Sequence, residues 1–117
     1  MRIKRYDGSK KYKFDEKSTY PGDNAKGIAE AILNSYLAGY DTRDKPAVAK
    51  GQLGPYKTLE FKFLGETKKE KRMMSVREMF IREKTFTYRV SILANPQAAR
   101  EEAGTIERTL KTFAILD

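Results

Sequence analysis

Three consecutive segments with recurring apolar residues, joined by short polar turns, constrain the fold of this chain most. Segments 56–64 and 85–94 alternate apolar with polar side chains, which is typical of strands with one buried face. Segment 72–82 has apolar residues on both faces, which indicates a central strand covered on both sides. The turns at 65–70 and 82–84 are too short for a crossover helix. The sequence therefore predicts an antiparallel sheet.

Two helices are predicted beside this sheet. Segment 24–38 carries an apolar stripe at helical spacing, and Asp23 or Asn24 is placed to cap its first turn. The last helix begins at Asn95-Pro96, an N-cap followed by proline at a position where the missing N–H costs nothing. Its apolar residues then step by four and three along one face. Both helices can therefore bury an apolar side against the sheet.

The N-terminal segments 2–6 and 9–15 flank Asp7-Gly8, which predicts a two-residue hairpin. With a minor strand at 47–49, the element order is β-β-α-(β)-β-β-β-α. That order predicts an α+β fold in which helices flank an antiparallel sheet as an α-β-α sandwich. Residues 1–117 have the size of a single domain. We expect its core where the sheet meets the C-terminal helix, formed by Leu59, Phe61, Phe63, Tyr88, Val90, Ile92, Ile106, Leu110 and Phe113.

A set of apolar motifs runs through the second half of the chain. They are Leu53-Gly54-Pro55-Tyr56 leading into Leu59-Glu60-Phe61, a long strand with Arg77, Phe80 and Ile81, the strand Tyr88-Arg89-Val90-Ser91-Ile92, and a final helix running into Thr112-Phe113. Together these motifs resemble the PsbP-like (PsbP/Mog-type) superfamily. The resemblance implies an α-β-α sandwich and a non-catalytic role. Members of that superfamily include extrinsic subunits of photosystem II, proteins that bind a small GTPase, and bacterial envelope lipoproteins.

The chain contains no cysteine and no histidine, which excludes several kinds of chemistry. Disulfides, thiolate nucleophiles, Cys/His zinc sites and imidazole bases are all ruled out. We therefore expect a protein that is not an enzyme and that needs no metal or cofactor. No run of 18 apolar residues occurs, so no membrane span is expected. The sequence leaves the compartment open between the cytoplasm and, if a signal peptide was removed, the bacterial envelope.

The net positive charge is the sequence feature that indicates most directly what kind of partner the protein binds. Lysine and arginine number 24 against 16 acidic residues, giving a net charge of +8. Basic side chains near the N-terminus and at the turn before 73 could bind an acidic partner or a phosphate backbone, or could simply keep strand edges soluble. The candidate binding residues are Lys10, Lys11, Lys13, Lys68, Lys69, Lys71 and Arg72.

Glu78 is the most interesting carboxylate, because it shares a strand face with Val76 and Phe80. Such a group could act as an acid or base, but a salt bridge to Arg89 on the next strand is the favoured interpretation. The sequence thus favours an accessory or protein-interaction domain. The alternative is a nucleic-acid or polyanion-binding domain that uses the basic N-terminal hairpin. A pocket with converging polar groups would instead favour a small-ligand carrier.

Overall fold

The computed structural model describes the backbone of residues 1–111 and the side chains as far as residue 101, together with that of Arg108. Within this range the chain forms eight strands and two helices. Their bounds are β1 Arg2–Asp7, β2 Lys11–Lys13, β3 Thr19–Pro21, α1 Ala25–Gly39, β4 Tyr40–Thr42, β5 Ala49–Leu53, β6 Tyr56–Thr67, β7 Met73–Glu83, β8 Phe86–Ala94 and α2 Pro96–Lys111.

The main sheet is antiparallel and curled into a half-barrel. Its order is β1-β8-β7-β6, and the outer edge of β6 is shared by β4 and β5. The predicted run of three consecutive antiparallel strands is confirmed as β6, β7 and β8. The predicted minor strand lies later, at β5, and no strand was predicted at β4, which begins directly where α1 ends. The α+β class with an antiparallel sheet is thus confirmed.

Helix α1 covers one face of this sheet, which we call the helix face. It begins as predicted, because the Asn24 side chain accepts a hydrogen bond from the backbone N–H of Gly27 at 3.0 Å. Its apolar stripe packs onto alternate residues of β6 and β7. The fully or almost fully buried members of this cluster are Tyr6, Ile28, Ala29, Ile32, Leu33, Phe61, Val76 and Phe80.

A second, smaller cluster lies on the opposite face of the sheet. Met79, Ile81 and Val90 are buried there, and α2 approaches β7 and β8. The prediction that Leu59, Phe61 and Phe63 of β6 share one core with the C-terminal helix is therefore wrong, because they belong to the cluster under α1. Phe61 lies opposite Glu78, whereas Val90 lies opposite Met79, and alternate residues of β7 point to different faces. The predicted contributions of Ile106, Leu110 and Phe113 lie outside the described side chains.

The predicted N-terminal hairpin is wrong. Strand β1 pairs with β8, and β2 pairs with β3 to form a small two-stranded sheet that we call the ribbon. At the turn, the Asp7 carboxylate accepts hydrogen bonds from the Ser9 N–H at 2.9 Å and the Ser9 hydroxyl at 2.8 Å. This side-chain turn directs the chain away from β1. Strand β8 is nine residues long and offers β1 a longer ladder than the three-residue β2 does.

The ribbon lies on the helix face beside α1. Tyr12 and Tyr20 of the ribbon and Phe14 of the loop between its strands pack against the buried cluster, and the rings of Tyr6 and Tyr12 meet edge to face at 5.0 Å. Gly27 of α1 approaches the Tyr20 ring so closely that a Cβ atom there would lie 2.7 Å from it. The ribbon and α1 thus share the helix face, and a cleft remains between them.

Candidate functional site

A network of hydrogen bonds around Glu78 occupies the middle of the helix face. Glu78 is fully buried, and Arg89 of β8 donates to both of its carboxylate oxygens, from Nε at 3.0 and 3.1 Å and from Nη2 at 2.6 Å. Tyr36 of α1 donates its hydroxyl hydrogen to the carboxylate at 2.9 Å, and the Ser91 hydroxyl also donates to it. The predicted pairing of Glu78 with Arg89 is confirmed. A buried carboxylate with this many donors is held in one orientation.

The network perturbs the proton affinities of its members. Burial, followed by the negative charge of Glu78, raises the pKa of Tyr36 to about 12. Burial alone would lower the pKa of Arg89, but the hydrogen bonds and charge of Glu78 outweigh it and hold that pKa above its ordinary value. At neutral pH Tyr36 therefore stays protonated and Arg89 stays charged. Neither Tyr36 nor Arg89 is therefore poised to exchange a proton near pH 7.

A cleft of about 360 Å³ opens over this network between the ribbon and α1. Its apolar walls come from Phe14 of the loop after β2 and from α1, and its polar groups belong to β8, α1 and β4. The charged side chain in its lining is Arg89, because Glu78 lies beneath the guanidinium and out of reach of solvent. The lining residues are Phe14, Ala31, Ile32, Ser35, Tyr36, Tyr40 and Arg89.

A larger cleft of about 670 Å³ lies beside the outer edge of β6. It sits where β6 is left without a neighbouring strand, between its pairing with β5 and its pairing with β4. Its walls carry the acids Asp41, Asp44 and Glu66 together with the bases Arg43 and Lys62. Charges of both signs face the same open space, so the lining of this cleft does not favour a ligand of either charge.

The basic residues singled out in the sequence are all exposed. Lys11 and Lys13 alternate with half-buried Tyr12 and Phe14, so these lysines face solvent while the aromatic residues pack inward. Lys10 precedes β2 near the turn between β7 and β8. The cluster at 68–72 forms the turn between β6 and β7, at the other end of the 11-residue β7. About 30 Å of strand therefore separates the two clusters, and they do not form one basic track.

The open outer edge of β1 is a feature that the sequence reading missed. Gly8 N–H bonds to the Thr85 carbonyl, whereas Asp7 N–H bonds to the Tyr12 hydroxyl at 3.0 Å instead of to β8. Because ladder bonds alternate along an antiparallel strand, the N–H and C=O groups of Ile3 and Arg5 also point away from β8. In the described part of the chain no other strand pairs with β1. Residues 2–5 are exposed.

Among the described residues, no group of three or more carboxylates could hold a metal ion. Neither α1 nor the described part of α2 is long and apolar enough to cross a membrane.

Comparison with known proteins found a structure with a similar fold. No family model matches the chain, and no curated protein matches it. A crystal structure of PA94 from Pseudomonas aeruginosa, a protein of unknown function, is similar with a TM-score of 0.63. The match covers 99% of this chain and 84% of PA94, with 12% sequence identity. At that identity the likeness shows a shared fold and carries no activity from one protein to the other.

Proposed function

We propose that this chain is a non-catalytic accessory domain that binds another protein. Its partner supplies an acidic, extended segment that adds to the open edge of β1. The observation that carries the proposal is the run of outward-facing backbone groups on a strand that is both exposed and basic. An exposed sheet edge of this kind binds extended peptides by adding a strand, with the main chain supplying affinity and the side chains supplying specificity.

The proposal includes the arrangement of layers implied by the PsbP-like resemblance. In it, α1 covers one face and α2 covers the other, which completes an α-β-α sandwich around the sheet. Two observations support this arrangement: α2 follows β8 directly and approaches β7 and β8, and the face opposite α1 carries its own apolar cluster. With both faces occupied, binding is left to the open stretches of the sheet edges, and the open stretch of β1 carries charge of a single sign.

The charges on β1 select the partner. Arg2, Lys4 and Arg5 lie along the open stretch, and Arg5 already stacks over the Phe86 ring at 4.8 Å. A second copy of β1 would place like charges opposite each other across the new ladder, which is unfavourable. A segment with glutamate or aspartate at alternate positions would instead meet opposite charge. The edge therefore disfavours self-association and favours an acidic strand.

A peptide titration tests the proposal. The probe is a fluorescein-labelled peptide that alternates glutamate with valine, and the comparison peptide alternates lysine with valine. Fluorescence anisotropy should show binding of the acidic peptide, weakening as salt rises. The test variant is Ile3→Pro, which removes an outward N–H without breaking a bond to β8. Its matched control is Ile3→Ser, which removes the same side chain but keeps that N–H.

We expect Ile3→Ser to bind like the parent and Ile3→Pro to bind about tenfold more weakly, the loss of one backbone hydrogen bond. Circular dichroism checks that both variants are folded. Equal binding by the two variants, or equal binding of the two peptides, would refute strand addition at β1. If single-stranded DNA binds instead, and only the change of Lys10, Lys11 and Lys13 to serine abolishes that binding, the polyanion alternative is the function.

A further inference from the structure

From the cleft between the ribbon and α1, we infer a second site: a pocket for a small organic acid with an apolar body and one carboxylate. This site is separate from the edge of β1, and it does not depend on the proposed protein partner. The cleft has the two properties that small-ligand sites share, namely an apolar wall and a few polar groups that converge on it.

The charge in the lining favours an anionic ligand. Arg89 is positive, and none of the described residues that line the cleft is acidic. Glu78 engages only Nε and Nη2 of Arg89, and the guanidinium also lies near the Tyr6 hydroxyl. An arginine has five N–H donors, so donors remain for a ligand. Two oxygens of a carboxylate are the natural acceptors for this planar group.

The Glu78 network makes Arg89 a fixed group instead of a mobile one. Three donor–acceptor pairs at 2.6 to 3.1 Å hold one side of the guanidinium against the buried carboxylate. Its remaining donors therefore keep one orientation relative to Tyr36 and Ser35, which line the same cleft. A ligand would bind without first having to order the arginine side chain, and this preorganisation increases affinity.

The remaining lining sets the shape of the ligand body. Phe14, Ala31 and Ile32 supply apolar surface, and the volume of about 360 Å³ exceeds what a head group alone would fill. It corresponds to about twelve water volumes, enough for an aliphatic or aromatic acid of about eight carbons. The ligand class is thus a medium-chain or aryl-substituted monocarboxylate.

The experiment compares three molecules with the same body. Octanoate, octan-1-ol and octylamine, each below its micelle-forming concentration, are titrated into ¹⁵N-labelled protein and followed by two-dimensional NMR. We expect octanoate to shift the amide signals of residues 31–36 and 89, and to bind about tenfold more tightly than octylamine. Equal binding of all three, failure of octanoate to bind, or shifts located away from these residues would overturn the inference.

Two variants on adjacent positions of α1 locate the site. Ser35 lines the cleft and is exposed, so Ser35→Trp should fill the cleft while α1 still folds. Asn34 is equally exposed but does not line the cleft, so Asn34→Trp is the matched control. We expect Ser35→Trp to weaken octanoate binding at least tenfold and Asn34→Trp to leave it unchanged. Equal effects of the two variants would refute the location.

A further pair of changes tests the role of the head group. The double variant Glu78→Gln with Arg89→Gln removes both charges but keeps polar side chains, the first of the same size and the second shorter than arginine. It should bind octanoate no better than octan-1-ol, because the preference for the carboxylate depends on the guanidinium. A retained preference for octanoate in that folded double variant would overturn the assignment of Arg89 to the ligand.

Discussion

Removing Arg89 should destabilise the protein more than removing the whole ion pair that it forms. In Arg89→Met, the carboxylate of Glu78 stays fully buried and loses the cation that neutralises it, with only the hydroxyls of Tyr36 and Ser91 as donors. Breaking a buried ion pair in this way costs about 3–5 kcal/mol. For a domain of this length, such a loss lowers the melting temperature by about 12–20 °C.

The double variant Glu78→Leu with Arg89→Met should recover much of that loss. It removes the stranded charge and fills the space with apolar groups, which is often neutral for stability. What remains is the cost of the buried Ser91 hydroxyl, which has lost its acceptor, about 1–3 kcal/mol, because the half-buried Tyr36 hydroxyl can bond to water. Adding the second mutation to Arg89→Met is thus expected to stabilise the protein. Few pairs of surface substitutions would show a second mutation that restores the stability lost through the first.

Urea unfolding followed by far-ultraviolet circular dichroism measures these differences. Arg77→Met is the matched control, since Arg77 bonds to Glu60 at 2.8 Å on the opposite face of the same strand. Both partners of that bridge are partly exposed, at 21% and 25% of their side chains, so its loss should cost about 1 kcal/mol or less. If Glu78→Leu with Arg89→Met is less stable than Arg89→Met alone, the reasoning about the stranded carboxylate is refuted.

Three further outcomes follow from other parts of the structure. Phe61 is 2% exposed, so Phe61→Ala should lower the free energy of unfolding by about 3–5 kcal/mol, and a loss below about 1 kcal/mol in urea titration would contradict its place in the cluster under α1. The pKa of Tyr36 is about 12 against an ordinary value of 10.0, so the folded state keeps a proton that the unfolded state loses, and stability should fall as pH rises from 10 to 12. Tyr36→Phe should reduce that fall by at most about 1–2 kcal/mol, because the side chain is only half-buried; an unchanged pH slope would argue against the shift. Changing the exposed Lys10, Lys11 and Lys13 to serine should alter stability by less than about 0.5 kcal/mol and leave nucleic-acid binding as it was, whereas a decrease of the salt slope by about 2–3 would favour the polyanion alternative.

The sequence correctly predicted the features that depend on residues close together in the chain. Asn24 marks the start of α1 because its side chain can satisfy a free N–H of the first turn, and Asn95 does the same for α2 by accepting from the Ala98 N–H at 2.8 Å. Alternation identified β6 and β8, and short turns fixed their antiparallel pairing with β7. The pairing of Glu78 with Arg89 followed from the same reasoning, since it needed only adjacent strands and a shared face.

Local sequence patterns did not reveal contacts between residues that are distant in the chain. Asp7-Gly8 is a hairpin signal, but it does not reveal that β8, some 80 residues later, offers β1 a better ladder. The β1 edge was missed for the same reason, because an edge is defined only once every pairing is known. Tyr36 lies within the segment 24–38 that was predicted to be helical, yet its bond to Glu78 depends on how α1 lies across the sheet.

The stability prediction and the ligand inference can be tested together in one variant. A buried ion pair can often be replaced by apolar residues without loss of stability, so the fold alone does not require Glu78 and Arg89. What apolar residues cannot reproduce is a guanidinium held in one orientation at the wall of a cleft that is otherwise apolar and hydroxyl-lined. Glu78→Leu with Arg89→Met should therefore fold nearly as stably as the parent and yet lose its preference for octanoate over octan-1-ol. A variant that kept both its stability and that preference would show that the network serves neither packing nor ligand recognition, and the inferred site would have to be abandoned.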